Sequence, residues 1–231
     1  MKKIIIPFFC AVFCSTPVVA QTANTAAAKT EAVQSKLTPK EVVDNYLKAL
    51  GGKDKLESVR TVLIENIITG DGLPGEVGMT AKKMGNKFKS EQTFMGQVAS
   101  SQLFDGEKGY FQQMGQKTEI PADRLAEMKK GKTIDALAYN AANYSSVTLE
   151  KMDGKDYNVL NSDKGKFYFD ASTGLLFKTI GKEGNATIKS YMTVDGIKFP
   201  QEIQAEGNGQ NVVVKTTKVM INSGVSDADF K

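Results

Sequence analysis

The chain has 231 residues, a formal net charge of +4, 24% charged and 41% hydrophobic residues, two cysteines and no histidine. Histidine is the usual general base near neutral pH and the commonest metal ligand, and the cysteine thiolate is the usual soft ligand and strong nucleophile. A chain without the first, and with the second confined to Cys10 and Cys14, lacks most routes to hydrolysis, redox chemistry or transition-metal binding, so the composition points to a non-catalytic binding protein with no cofactor.

Lys2 and Lys3 precede an apolar stretch from Ile4 to Phe13, too short to span a bilayer, and Val18-Val19-Ala20 supplies small residues where a signal peptidase reads. Residues 1–20 therefore read as a signal peptide cleaved before Gln21, and the mature protein as soluble and periplasmic. Bulky Phe8-Phe9 and Val12-Phe13 before the two cysteines argue against a lipid-bearing cysteine. Cleavage leaves 211 residues, no cysteine, and a net charge of +2 once Lys2 and Lys3 are gone. One domain of that size can bury a substantial core. Lysines are interleaved with acids, and only Arg60 and Arg124 are arginines, so nucleic acid is a poor partner.

Residues 21–38, rich in Ala, Thr and Gln, read as a flexible leader, and residues 39–231 as the domain. Thr38-Pro39-Lys40-Glu41 is a helix start with a capping box, followed by Val42, Val43, Tyr46, Leu47 and Leu50 at helical spacing, and Gly51-Gly52 stops the helix. A second short helix is predicted over 54–58. From Arg60 the period changes to two, and glycine-bearing turns then separate strands predicted at 77–84, 86–95, 97–105, 108–114 and 115–120. Phe88 and Phe94 fall on one face of their strand, with Lys87, Lys89 and Glu91 on the other. Residues 121–144 interrupt this meander with one helix from Pro121 to Lys130 and a second over 134–139. Strands resume at 146–152, 155–161, 164–170, 175–181, 185–193, 197–206 and 211–221. The class is α+β: one large curved antiparallel sheet with an N-terminal helix and a central helical insert.

Catalytic and cofactor motifs fail on physical grounds. Gly70-Asp71-Gly72-Leu73-Pro74-Gly75 has dinucleotide-loop spacing, but Pro74 leads into a strand and not into the helix N-terminus that a pyrophosphate needs. Asn161, Asp163 and Asp170 resemble a calcium loop whose required glycine is Lys166. The chain has no G-x-S-x-G and no S-x-x-K, and no carboxylate pair stands out for acid–base work. What remains is a set of methionines beside aromatics on strands. Met79, Phe88, Phe94, Phe104, Tyr110, Phe167, Phe169 and Phe177 are candidates to line a cavity for a hydrophobic ligand, with ordinary core as the alternative.

Five stretches, in this order and spacing, resemble a known family: YLKALGGKDKLESV (46–59), FDGEKGY (104–110), YFDASTGL (168–175), DGIKFP (195–200) and INSGVSDADF (221–230). They are similar to the outer-membrane lipoprotein-sorting proteins of the LolA/LolB-like superfamily, and to the domain appended to some exported insulinase-type zinc peptidases. The resemblance implies an unclosed β-barrel whose concave face is covered by helices and holds acyl chains. It also implies a lipid, a lipoprotein or another envelope protein as partner, with peripheral membrane contact. The second reading it leaves open is a structural module with a filled core that assists an envelope complex or peptidase. The peptidase chemistry does not transfer, because a chain without histidine has no H-x-x-E-H site.

Overall fold

A computed structural model describes residues 33–182, 184–207 and 209–231. The expected signal peptide, both cysteines and the leader up to residue 32 lie outside the described residues. Fourteen strands form one antiparallel sheet that does not close into a barrel. In chain order they are β1 (Val33–Gln34), β2 (Thr61–Gly70), β3 (Val77–Met84), β4 (Lys87–Phe94), β5 (Gln97–Phe104), β6 (Gly109–Gln113), β7 (Gln116–Glu119), β8 (Ser146–Met152), β9 (Lys155–Ser162), β10 (Gly165–Asp170), β11 (Leu176–Gly181), β12 (Asn185–Val194), β13 (Ile197–Gly207) and β14 (Gln210–Ile221). The spatial order is β1-β8-β9-β10-β11-β12-β13-β14-β2-β3-β4-β5-β6-β7. Two sequential meanders, β2–β7 and β8–β14, thus meet along a single seam where Val62 pairs with Ile221 and Gly70 with Val212.

The helices are α1 (Pro39–Leu50), α2 (Lys53–Glu57) and α3 (Ala122–Met128), with 3-10 turns at Asp135–Ala138, Ala141–Asn143 and Asp227–Phe230. The predicted start of α1 is realised: Thr38 Oγ1 accepts from the Glu41 N–H, and the Glu41 carboxylate accepts from the Thr38 N–H at 2.7 Å. Its end at Gly51 (φ 137°) lies so close to the β12–β13 turn that a Cβ there would stand 2.6 Å from the Gly196 carbonyl oxygen. Val42, Val43, Tyr46, Leu47 and Leu50 face the sheet and join Val62, Val147, Leu160, Phe169, Ile197, Phe199 and Val219 in the main core. The face that α1 covers is called inner below.

Two expectations are corrected. Val33–Gln34, read as flexible leader, pair with Thr148 and Leu149 as the edge strand β1, Ser35 N–H donates to the Val147 carbonyl, and Leu37 packs on the core. A two-residue strand carries too little periodicity to be read in sequence. The second helix of the insert is only a 3-10 turn at Asp135–Ala138. It nonetheless covers the inner face, where Ile134, Ala136, Leu137, Tyr139 and Tyr144 pack on the main core.

The outer face carries the C-terminus. Lys82 ion-pairs with Asp229, and Lys87 Nζ lies 2.6 Å from Asp227. These pairs hold the last 3-10 turn against β3 and β4 with Phe230 buried at 3% exposure.

Candidate ligand-binding face

Side chains alternate between faces along a strand, so register assigns each residue to a side. Val62, Ile64, Asn66 and Ile68 of β2 are inner, because Val62 and Ile64 pack in the core under α1. Through the pairs Ile68–Val77, Asn66–Met79, Met79–Gln92, Lys83–Phe88 and Phe88–Phe104 the same side continues to β3, β4 and β5. Six of the eight sequence-predicted lining residues are inner: Met79, Phe88, Phe94 and Phe104 on the first meander, Phe167 and Phe169 on the second.

They do not converge on one cavity. Phe169 is 1% exposed and meets Tyr46 of α1 with ring centroids 5.1 Å apart, and Phe167 packs edge-on to Tyr139 of the insert at 5.9 Å. Phe169 is sealed into the main core, and Phe167 is half-buried against it. Phe104, fully buried, and Phe88 lie under α3 with Ile120, Leu125 and Met128. Met79 and Phe94 belong to a third cluster, with Ile68, Val77, Ala205 and Val212 and the half-buried Leu73, Ala186 and Val214. That third cluster contains strand and loop residues and no helix residue. Its apolar inner surface extends beyond the reach of α1, α3 and the insert.

Tyr110 and Phe177 are the corrections. Tyr110 pairs with Leu103 on the outer face, and Lys117 Nζ sits 3.6 Å from its ring centroid. Phe177 falls at an irregularity where Tyr168 pairs with Lys178 but Phe169 with Leu176, and its ring stacks on Tyr157 at 4.9 Å in a separate cluster with Val159 and Tyr168. A bulge of this kind turns one side chain to the other face, which the spacing in sequence conceals.

Between the helix-covered clusters runs a set of buried neutral polar residues that the sequence reading did not single out. Ser90, Gln92, Ser100 and Gln102 are 1%, 2%, 5% and 9% exposed, and Asn66 and Thr216 are 7% and 8% exposed. Thr216 Oγ1 lies 2.9 Å from Asn66 Oδ1, and Ser100 Oγ lies 3.1 Å from Gln92 Oε1. Ser90, Gln92, Ser100 and Gln102 share the β4–β5 hairpin, and register brings the distant Asn66 and Thr216 onto the same face.

Ionisable groups near the inner face are few. Lys83 of β3 ion-pairs with Asp135 of the insert. Burial pushes the Tyr144 phenol up to about 12, and pushes those of Tyr46, Tyr139 and Tyr191 well above their ordinary value. Tyr191 nevertheless has an outlet, since its hydroxyl donates to the Leu176 carbonyl at 2.6 Å. Two hollows open at the surface elsewhere: one of about 510 Å³ at the α1–α2 junction, and one of about 260 Å³ on the outer face beside Tyr110. The Gly70–Gly75 stretch ends β2 and leads into β3, with no helix following it. Among the described residues no group of three or more acids is placed to hold a metal ion, and no helix is long and apolar enough to cross a membrane.

The architecture matches solved structures of low sequence identity. A domain assigned to outer membrane lipoprotein-sorting proteins from Vibrio parahaemolyticus superposes with TM-score 0.58 at 12% identity, over 84% of this chain and 97% of that one. A DUF1329 family protein from Desulfovibrio piger gives TM-score 0.56 at 14% identity, over 84% and 98%. A LolA superfamily protein from Nitrosomonas europaea gives 0.54 at 14% identity, over 84% and 98%. No protein-family model and no curated protein matches the sequence. The chain therefore has the LolA-like fold, an unclosed antiparallel half-barrel with helices on its inner face.

Proposed function

We propose that this protein is an exported, non-catalytic carrier or binding protein that holds a lipid, an acyl chain of a lipoprotein or another hydrophobic ligand on the inner face of the half-barrel. One observation carries the reading. The cluster around Met79 and Phe94 is apolar and inward-facing, these two side chains with Leu73, Ala186 and Val214 are only half-buried in it, and no helix contributes to it. An apolar surface that the protein's own lid elements do not reach is a place for a ligand chain. Of the eight predicted lining residues, these two are the ones we assign to the ligand. The test is solvent extraction of the mature protein purified from its native envelope, followed by mass spectrometry and by titration with a fluorescent fatty acid. Bound acyl lipid and saturable uptake are expected. Their consistent absence overturns the proposal.

A second reading, an interaction module assisting an envelope complex or peptidase, draws support from the part of the inner face that α1 and the insert pack solid. Co-purification with one protein partner, without lipid, favours it.

A further inference from the structure

Register strings the neutral polar residues into one row across the inner face. Thr216 of β14 pairs with Asn66 of β2, Asn66 with Met79, Met79 with Gln92 of β4, Gln92 with Ser100, Ser100 with Gln113 and Gln113 with Gln116 of the edge strand β7. Six of the seven residues in this row are uncharged hydrogen-bonding side chains, and the seventh is Met79 of the proposed ligand face. Neighbouring strands lie about 4.8 Å apart, so the row is a continuous track about 29 Å long. It runs from the buried seam to the half-buried Gln113 and the exposed Gln116 at the open edge of the sheet.

A buried neutral amide is costly unless its hydrogen bonds are made, and apolar side chains would fill these positions at no such cost. The row is therefore a feature that a bare hydrocarbon ligand does not explain. Its internal bonds also have a direction. The Ser100 hydroxyl occupies the amide oxygen of Gln92, so the Gln92 carboxamide N–H groups are the donors the row can offer. The single Thr216 hydroxyl hydrogen is shared between the Asn66 amide oxygen and the Pro200 carbonyl oxygen, each 2.9 Å away. In the next row Gln102 donates to the thioether of Met128 at 3.7 Å, a weak acceptor. On β11, Thr179 pairs with the inner-facing Phe167 of β10, and its buried Oγ1 has no hydrogen-bond partner among the described residues. The inner face thus presents donors for a carbonyl. It presents no lysine, arginine or carboxylate along the row, and a charged headgroup buried there would lack a counter-ion.

We infer that the ligand of the inner face is an uncharged acyl ester or amide. Its carbonyl and hydroxyl groups lie along the Asn66–Gln92–Ser100–Gln113 row, and its chain runs over Met79 and Phe94. This rests on the proposed binding role of that face. The test compares a pyrene-labelled monoacylglycerol with the pyrene-labelled fatty acid of equal chain length and the matching pyrene alkane, at neutral pH where the acid is ionised. The wild-type chain is expected to prefer the glycerol ester over the ionised acid and the alkane. Gln92→Leu is expected to weaken ester binding roughly two- to tenfold, the share of one or two hydrogen bonds, and to leave alkane binding unchanged. Gln113→Leu, at a half-buried position that tolerates an apolar side chain, is measured alongside and reads the same way should Gln92→Leu fail to fold. Equal affinity for ester and alkane, or ester binding that survives in the folded variants, overturns the inference while leaving the binding face intact. Preference for the ionised acid overturns it as well. If no probe binds the wild-type chain, the binding role falls and the inference falls with it.

Discussion

The ring of Tyr46 in α1 meets the ring of Phe169 in β10 edge-on, with centroids 5.1 Å apart and planes at 62°. The contact clamps the first helix onto the second meander, and Tyr139 of the insert adds a third ring to it, 5.6 Å from Tyr46 and 6.1 Å from Phe169. Phe169→Ala removes a fully buried ring from this junction and is expected to destabilise the protein by about 3–5 kcal/mol. Thermal unfolding checks the size of the effect. Ligand uptake by the folded fraction should be unchanged, because this ring is core and not lining.

Phe94→Asp and Phe104→Asp should separate lining from core. Phe94 is half-buried in the cluster that no helix covers, so its replacement is expected to abolish uptake of a fluorescent fatty acid with a small loss in melting temperature. Phe104 is fully buried beneath α3, so a carboxylate there has no counter-ion and the chain is expected not to fold. Uptake persisting in a folded Phe94→Asp variant would remove Phe94 from the site.

Stability should be nearly flat across the neutral range, because the chain has no histidine to titrate there. On the acid side, Asp229 is held below its ordinary range by Lys82 and by the Ser226 N–H, and Asp105 by the N–H groups of Lys108 and Glu107. Burial raises Asp170 and Glu150, but hydrogen bonds from Ser172 and Thr173, and from Lys166 and Tyr168, outweigh it and bring both down. A carboxylate whose folded pKa is depressed contributes stability that is present above its unfolded value and lost as pH falls through the folded one. Unfolding is therefore expected below about pH 4, the ordinary carboxylate range. On the alkaline side the sign reverses. Burial, helped by Glu150, raises Tyr168 to about 12, and burial raises Tyr144 to about 12. Their contribution is present below the ordinary tyrosine value and lost as pH rises toward about 12. Tyrosinate absorbance followed together with circular dichroism should show these phenols ionising only with unfolding.

The C-terminal turn is a structural part of the sheet. Phe230 is 3% exposed, and Ser226 caps its turn through the Asp229 carboxylate at 2.7 Å from the Ser226 N–H. Phe230→Ala is expected to cost about 3–5 kcal/mol, read by chemical denaturation. Asp229→Asn, which keeps the shape and removes the charge facing Lys82, should cost far less, and its effect should shrink as salt is added.

Strands and turns were legible because this chain writes them plainly. Alternation around Phe88 and Phe94 and turns such as Asp153-Gly154 and Asp195-Gly196 place strand ends within a residue or two of those observed. The helix at Thr38 was legible from its capping box. The ligand face was legible only in part. Alternation put Met79 and Phe94 on the inner side, but it could not tell them from Phe169, whose burial depends on where α1 lands. Tyr110 and Phe177 were misplaced because side assignment passes through strand pairing, and at Phe177 through a bulge. The polar row was invisible for the same reason: Asn66, Gln92, Ser100, Gln113 and Thr216 become neighbours only once six strands are aligned.

The seam between β14 and β2 joins the two meanders, and it is the long-range pairing of an otherwise sequential sheet, apart from the two-residue β1. Every other ladder closes a turn or a short connection, so each meander can zip from hairpins at small loop-closure cost. Joining Val62–Gly70 to Val212–Ile221 closes a loop of about 150 residues, the largest loop-closure cost among the ladders of the described residues. A chain cut within the insert would leave fragments that meet at more than this edge, because β1 pairs with β8, α1 packs on Phe169, and the C-terminal turn is held by Lys82 and Lys87.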